Sequence, residues 1–310
     1  MIKVSRNNVP IPECLRTDKI TEGTIETQEA IAFFQERAAR RIPGAAHDTS
    51  LNALLETKFK FKVYGKAKAA LRTLFHEKCG YCEIGYGGAA REVEHYRPVG
   101  RIDYMHLGEK RIHPEGYYWL GAAWDNLILA CSHCNKLETH LHQDQAYAAS
   151  SLRVSGKGNF FTLEDEAARA QPLGSVENER PLLLDPCRDN PNDHLVFRDD
   201  GIVVPKVIEG RASKRGQESI RVYGLRRLEL VEMRREVART LSLAITRLNE
   251  KVALLRENPR DRIARAELST AFANIRENYL TPKKPFLALS LTLFRQAVNL
   301  EEIRALLAAR

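Results

Sequence analysis

Three observations in the 310-residue sequence predict a mainly helical α+β fold. Apolar residues recur at helical spacing near both ends, two C-x-x-C pairs fix a compact centre, and one hairpin signal lies between that centre and a helical C-terminal part. The apolar and charged shares, 44% and 28%, are those of an ordinary globular chain. No apolar run approaches the ~18 residues of a membrane span. Residues 1–6 lack the apolar stretch of a signal peptide, so the chain is expected in the cytoplasm. Thiols stay reduced there, and the six Cys read as metal ligands plus two spares, Cys14 and Cys187, rather than as disulfides.

In order, residues 1–25 (Val9-Pro10-Ile11-Pro12 among them) read as an extended arm. Ala30, Ile31, Phe33, Phe34 and Ala38 give a helix over 27–41, ended by Pro43-Gly44. Asp48-Thr49-Ser50 caps a second helix through Leu51, Leu54 and Leu55. Ala67, Leu71, Leu74 and Phe75 give a third over 64–78, delivering the chain into Cys79. Residues 85–91 are a glycine-rich turn. Residues 101–116 are a polar insertion with exposed His106 and His113. Tyr117 to Trp124 is an aromatic core segment. Residues 93–96 and 126–130 have strand length, and the polar run from Asn135 onward, free of Gly and Pro until Gly156, reads as a helix. On that helix His140 and His142 do not face each other, and neither is taken as a ligand.

Residues 150–158 read as a flexible linker, 181–186 as a buried strand between prolines, and Asp199-Asp200-Gly201 as a hairpin turn between 194–197 and 202–204. Helices follow over 211–223 with Gly224 just past the end, 228–257, 263–276, 286–298 and 300–309. The segments are 1–78, an N-terminal arm and helices; 79–150, the core; 151–209, linker and hairpin; and 210–310, helical and basic. The net charge of +8 is concentrated in 206–310, with 22 Lys+Arg against 12 Asp+Glu. Arg234 and Arg235 are expected on the exposed face there, open to a polyanion or a partner.

Cys79-Gly80-Tyr81-Cys82 and Cys131-Ser132-His133-Cys134 supply four thiolates, the donor set of a structural Zn²⁺. About fifty residues separate the pairs, so the interval must hold structure of its own. Within and after it stand Glu94-His95-Tyr96-Arg97-Pro98, Asn126 and Asn135.

An acid-His pair, then Asn126, then Asn135 directly after the last cysteine resembles the HNH, or ββα-metal, endonucleases. The resemblance implies a zinc-bound ββα core with His95 ending one strand, Asn126 opening the next and Asn135 on the following helix. It implies a metal-dependent hydrolase acting on phosphodiester bonds. His95, neutral near pH 7, takes the proton of the attacking water. Glu94 and Asn135 offer hard oxygen ligands to a catalytic Mg²⁺ or Mn²⁺. Asn126 orients the His95 ring by a hydrogen bond. Lys136 and Arg97 are candidate nucleic-acid contacts.

The flanking motifs Gly116-Tyr117-Tyr118-Trp119-Leu120, Pro181-Leu182-Leu183-Leu184-Asp185-Pro186 and Val222-Tyr223-Gly224-Leu225 extend the resemblance. With them, the chain is similar to the HNH nuclease subunits of Septu-type and retron-associated anti-phage systems. Such subunits imply a nucleic-acid substrate, with DNA favoured over RNA, and an ABC-type ATPase partner. This chain has no Walker-A loop, so that ATPase is another polypeptide. The alternatives are a catalytically silent zinc module that binds nucleic acid or an ATPase, and a standalone restriction-like HNH nuclease.

Overall fold

The computed structural model describes residues 1–39, 58–85, 91–144, 146 and 149–308. The chain opens with two 3-10 turns, Arg6–Asn8 and Glu13–Leu15, joined by extended backbone. Helix α1, Glu22–Ala39, starts earlier than its apolar face predicts. Thr21 and Thr24 exchange backbone-to-side-chain hydrogen bonds across its first turn, a capping box that satisfies orphan N–H groups. The helix expected near residues 51–55 and most of the glycine-rich turn lie outside the described residues.

A 3-10 turn, Val63–Ala67, leads into α2, Lys68–Leu74, which is shorter than predicted. His76 and Glu77 take positive φ values of 52° and 61°, which ends the helix and swings the chain into Cys79. Strand β1, Arg91–His95, follows. The polar insertion is a hairpin, β2 (Ile102–His106) paired with β3 (Glu109–His113), with His106 and His113 exposed as expected. Strand β4, Leu127–Cys131, pairs antiparallel with β1, setting His95 opposite Leu127 and Arg91 opposite Cys131. Every residue of β4 is buried, so its sequence is a continuous apolar run and does not alternate. One helical turn, α3 (Ser132–Asn135), closes the unit.

The helix predicted after Asn135 does not form. Lys136 is already extended, and β5 (Glu138–Gln143) and β6 (Ser150–Ser155) make an antiparallel hairpin. The cause lies at Gly156-Lys157-Gly158. The Lys157 N–H donates to the Cys134 carbonyl at 2.8 Å and the Gly158 N–H to the Asn135 carbonyl at 2.6 Å. Those are the acceptors a continuing helix would need. The predicted linker over 150–158 is therefore an ordered strand and a pinned turn. Gly156 has φ of 112°, and a Cβ there would overlap the Lys136 carbonyl oxygen. Gly156→Ala is expected to destabilise the fold by about 3 kcal/mol or more, from left-handed strain plus overlap with rigid backbone. Urea unfolding of the variant checks this, and an unchanged midpoint would show that the turn yields.

The segment 181–186 is not a strand. Pro181 makes one bridge to Leu163, while Leu183 and Leu184 are buried. The predicted hairpin is present as β7 (Leu195–Phe197) and β8 (Val203–Pro205), followed by the small pair β9 (Val207–Ile208) and β10 (Arg211–Ala212). The helices then follow the apolar periodicity: α4 (Lys214–Val222), α5 (Leu228–Glu257), α6 (Arg262–Tyr279), α7 (Leu287–Ala297) and α8 (Leu300–Ala308). Gly224, at φ 59°, ends α4 as expected. One hydrophobic cluster joins Leu71, Ile128, Phe161, Tyr223 and Leu241. Tyr81 of the first cysteine pair stacks on Tyr223 with ring centroids 3.9 Å apart, which locks the centre to the C-terminal helices.

The basic excess after residue 206 is only partly open to solvent. Arg234, expected to be exposed, is fully buried; it donates to the Leu225 carbonyl at 2.6 Å and lies against the Phe197 and Phe286 rings. Arg235, Arg239 and Arg256 form ion pairs with Glu232, Glu236 and Glu302. Among the described residues, no helix is long and apolar enough to cross a membrane.

Candidate metal centre and active site

Two elements carry the four thiols. Cys79 and Cys82 sit on a turn whose Gly80 N–H donates to the Leu129 carbonyl of β4 at 2.8 Å; Cys131 and Cys134 sit where β4 runs into α3. All four are buried, and their ligand atoms lie within 4.8 Å of one another. The Cys82 and Cys131 sulfurs are 3.8 Å apart. A tetrahedron with Zn–S bonds of ~2.3 Å has an edge of ~3.8 Å, so the cage suits Zn²⁺.

Donors surround the sulfurs. The Cys131 N–H donates to Cys79 Sγ at 3.3 Å, and Arg227 Nη2 lies 3.5 Å from Cys134 Sγ. Burial pulls the Arg227 guanidinium down, but the charges of Cys134, Cys82 and Cys131 outweigh it and hold it above its ordinary value. Hydrogen bonds with Cys131 and Cys134 drive the Cys82 thiol well below the usual range, while the neighbouring sulfurs of Cys134 and Cys79 push Cys131 far up. Four thiolates at this spacing need a cation between them, and the cluster could hold a divalent metal such as zinc in that place. The spare thiols are as predicted: Cys14 and Cys187 are free and partly buried, and burial pushes Cys187 up to about 12.

The strand period divides the residues beside this cage. Glu92 and Glu94 share one face of β1, and His95, the next residue, turns to the other. Asn135 Nδ2 donates to Glu92 at 2.9 Å, and Lys136 Nζ pairs with the same carboxylate at 2.7 Å. Partial burial would raise the Glu92 carboxyl, but the hydrogen bonds from Lys136 and Asn135 hold it below its ordinary value. Glu94 pairs with Lys157 Nζ at 2.7 Å. Burial pushes the Glu94 carboxyl up, with the Lys157 charge opposing.

Lys157 was not anticipated. Its side chain is fully buried although it lies in what reads as a linker. Its signal was the flanking pair Gly156 and Gly158, which let the backbone close on Asn135. Glu92 was missed as well; its place two residues before Glu94 on a strand is the legible cue.

His95 is buried between Tyr64 and Phe61, with ring centroids at 4.5 and 6.1 Å. Its Nε2 lies 2.8 Å from the Gly121 carbonyl oxygen. A carbonyl only accepts, so Nε2 carries the hydrogen and Nδ1 presents the lone pair. Burial drives the imidazole pKa down to about 4, the Gly121 bond opposing. The ring is therefore neutral at pH 7.

The bond expected from Asn126 to the His95 ring is replaced by a different one. Asn126 Oδ1 accepts from the Arg97 N–H at 2.7 Å, and Nδ2 donates to the Arg97 and Leu120 carbonyls at 3.0 and 3.2 Å. Asn126 thus ties the end of β1 to the loop bearing Gly121, and reaches His95 only through that carbonyl. Arg97, expected as a nucleic-acid contact, is buried and paired with Glu179 at 2.9 Å among the Tyr96, Tyr117 and Phe161 rings. It holds the fold and presents no charge to a ligand. Lys136 remains exposed beyond its pairing with Glu92.

With this geometry, the chain is similar to bacterial Septu proteins. It is 37% identical to the Septu protein PtuB of Bacillus mycoides (strain KBAB4) over 204 residues, which are 65% of this chain and 61% of that protein. It is 29% identical to the Septu protein PtuA of the same strain over 194 residues, 61% of this chain and 23% of that protein. The chain thus spans less than two thirds of either relative. No family model matches it.

Proposed function

We propose that this chain is a metal-dependent HNH-type endonuclease serving a Septu-type anti-phage system. The observation that carries the reading is the union of an antiparallel strand pair, a one-turn helix and a cysteine cage with His95 held in the tautomer that bares Nδ1. The similarity to PtuB and PtuA supports the defence setting.

In this reading Nδ1 of His95 takes a proton from a water molecule, the water oxygen bonds to phosphorus, and the P–O bond to the leaving sugar oxygen breaks. Glu94 and Asn135 would hold a divalent Mg²⁺ or Mn²⁺, with Glu92 beside them. The Asn135 amide nitrogen is committed to Glu92, which leaves its carbonyl oxygen for the cation. The bound ion supplies charge neutralisation at the scissile phosphate and the leaving oxygen. Lys157, now paired with Glu94, places a further fixed positive charge next to that ion's ligand. Asn126 holds the loop on which the His95 tautomer depends. The ATPase partner, DNA as the substrate and the cytoplasmic setting belong to the same reading.

The test is cleavage of supercoiled plasmid and of tRNA by the purified chain, with Mg²⁺ or with chelator, alone and with a candidate ABC-type ATPase partner. Mg²⁺-dependent nicking of the plasmid is expected. Absence of cleavage of either substrate under all of these conditions overturns the nuclease reading in favour of a non-catalytic zinc module.

A further inference from the structure

We infer that the chain holds a second transition-metal site, built by His133, Glu138 and His140 and separate from both the cysteine cage and the Glu94–Asn135 site. The hairpin that replaces the expected helix creates it. On strand β5 side chains alternate, so Glu138, His140 and His142 share one face, with Thr139 and Leu141 on the other. His133 stands opposite, on the turn between Cys131 and Cys134, where the cysteine cage fixes its backbone.

The donors already converge. His133 Nδ1 is 2.9 Å from Glu138 Oε2, and His140 Nε2 is 3.4 Å from the same oxygen. The two imidazoles meet edge-on, with centroids 5.1 Å apart and planes at 86°. One ligand atom from each residue lies within 4.8 Å of the others. Metal bonds of ~2.1 Å put adjacent ligand atoms ~3.0 Å apart in an octahedron and ~3.4 Å apart in a tetrahedron. The two short edges therefore already have the spacing of a coordination polyhedron. His140 Nε2 is a buried ring nitrogen with no hydrogen-bond partner, although the Glu138 carboxylate lies near it. Such a buried polar atom is costly unless something pairs with it.

Two neighbouring cations do not fill that role, and the first of them, Lys136, is paired with Glu92. Arg227 is held by the Tyr223 carbonyl at 2.7 Å, the His133 carbonyl at 3.3 Å and Cys134 Sγ, so its charge is spent on the thiolate cage. Two imidazoles and one carboxylate select a first-row divalent ion such as Zn²⁺, Mn²⁺ or Fe²⁺ over Mg²⁺ or Ca²⁺. His133 and Glu138 are each more than a third exposed, so the ion keeps water on its open side. Bound there, it clamps the β5–β6 hairpin to the cysteine turn, and that hairpin leads into Lys157.

The experiment counts metal on the full chain. The protein is equilibrated with excess Co²⁺ or Zn²⁺ and freed of loose metal, and bound ion is measured per chain. The thiolate-to-cobalt charge-transfer band reports the cysteine cage alone. Besides any ion at the Glu94–Asn135 site, the parent is expected to hold one ion that contributes that band and one that does not and that His133→Gln or His140→Gln removes. His133→Gln and His140→Gln should each retain the band and bind the second ion at least tenfold more weakly, since even outer-shell changes at metal sites cost ~10–100-fold. Glu138→Gln, which keeps the size of the side chain, gives a third independent variant. A parent that saturates at one ion, or variants that keep both, overturns the site. Circular dichroism and the charge-transfer band together verify the fold of each variant, and if one variant fails to fold the other two decide the matter.

Discussion

Cys82→Ser is expected to strip the zinc from the cysteine cage and to collapse the thermal stability of the whole molecule. A structural zinc contributes ~10–16 kcal/mol in small zinc modules, and this chain, with a large core of its own, should lose less. The loss is still large because the cage has no substitute. Cys82 is fully buried, its neighbours are three other buried sulfurs, and Arg227 is buried against them. With the cage emptied, Arg227 loses much of the negative charge that holds it, and breaking a buried charge pair costs ~3–5 kcal/mol by itself. Tyr81, on the same turn, would also lose its fixed stack on Tyr223. Metal analysis should find one fewer zinc per chain, and the melting midpoint should fall by well over ten degrees. A variant with parental zinc content and an unchanged midpoint would remove zinc from the account of the fold.

Legibility in the sequence followed the range of the interactions. The helices after residue 213 were readable because amphipathic periodicity is local: Leu241, Ile245, Leu248, Val252 and Leu255 all line the buried stripe of α5. The four thiols were readable because their spacing is a chemical constraint, and the β1 and β4 segments because short apolar runs fit the strand positions that the resemblance implies. The failures all involve a distant segment that overrides a local pattern. The stretch after Asn135 reads as a helix until Lys157 and Gly158 take its carbonyls. Arg97 and Arg234 read as surface cations until Glu179, aromatic rings and the thiolate cage surround them. Gly156 and Gly158 mark the turn at Lys157, but the pairing of its side chain was hidden because the partner, Glu94, is sixty-three residues away. The pairing of Asn126 with Arg97 and Leu120 was likewise hidden, because one asparagine offers four hydrogen-bond positions and sequence does not choose among them.

His95→Ala is expected to lower the rate of nucleic-acid cleavage by ~10²–10⁴-fold, the usual cost of losing a general base. Zinc content should be unchanged, since the ring holds no thiol and faces away from the cage, toward Tyr64, Phe61 and the Gly121 carbonyl. The pH dependence gives a second readout with a definite sign. A free imidazole titrates near ~6.5, and the sequence alone implies an activity that rises through that value. Burial lowers the His95 pKa to about 4, so the base is already neutral through the physiological range. The His95-dependent limb should therefore lie near pH 4, with no His95 break between pH 6 and 8. The same shift makes a linkage prediction. The unfolded ring binds its proton more tightly than the folded one, so His95 costs stability as pH falls from ~6.5 toward 4. The parent should lose more stability than His95→Ala across that window, while above it the two curves should run parallel. Parental cleavage rates in His95→Ala, or a rate break near 6.5 that survives the substitution, would place the base on another residue.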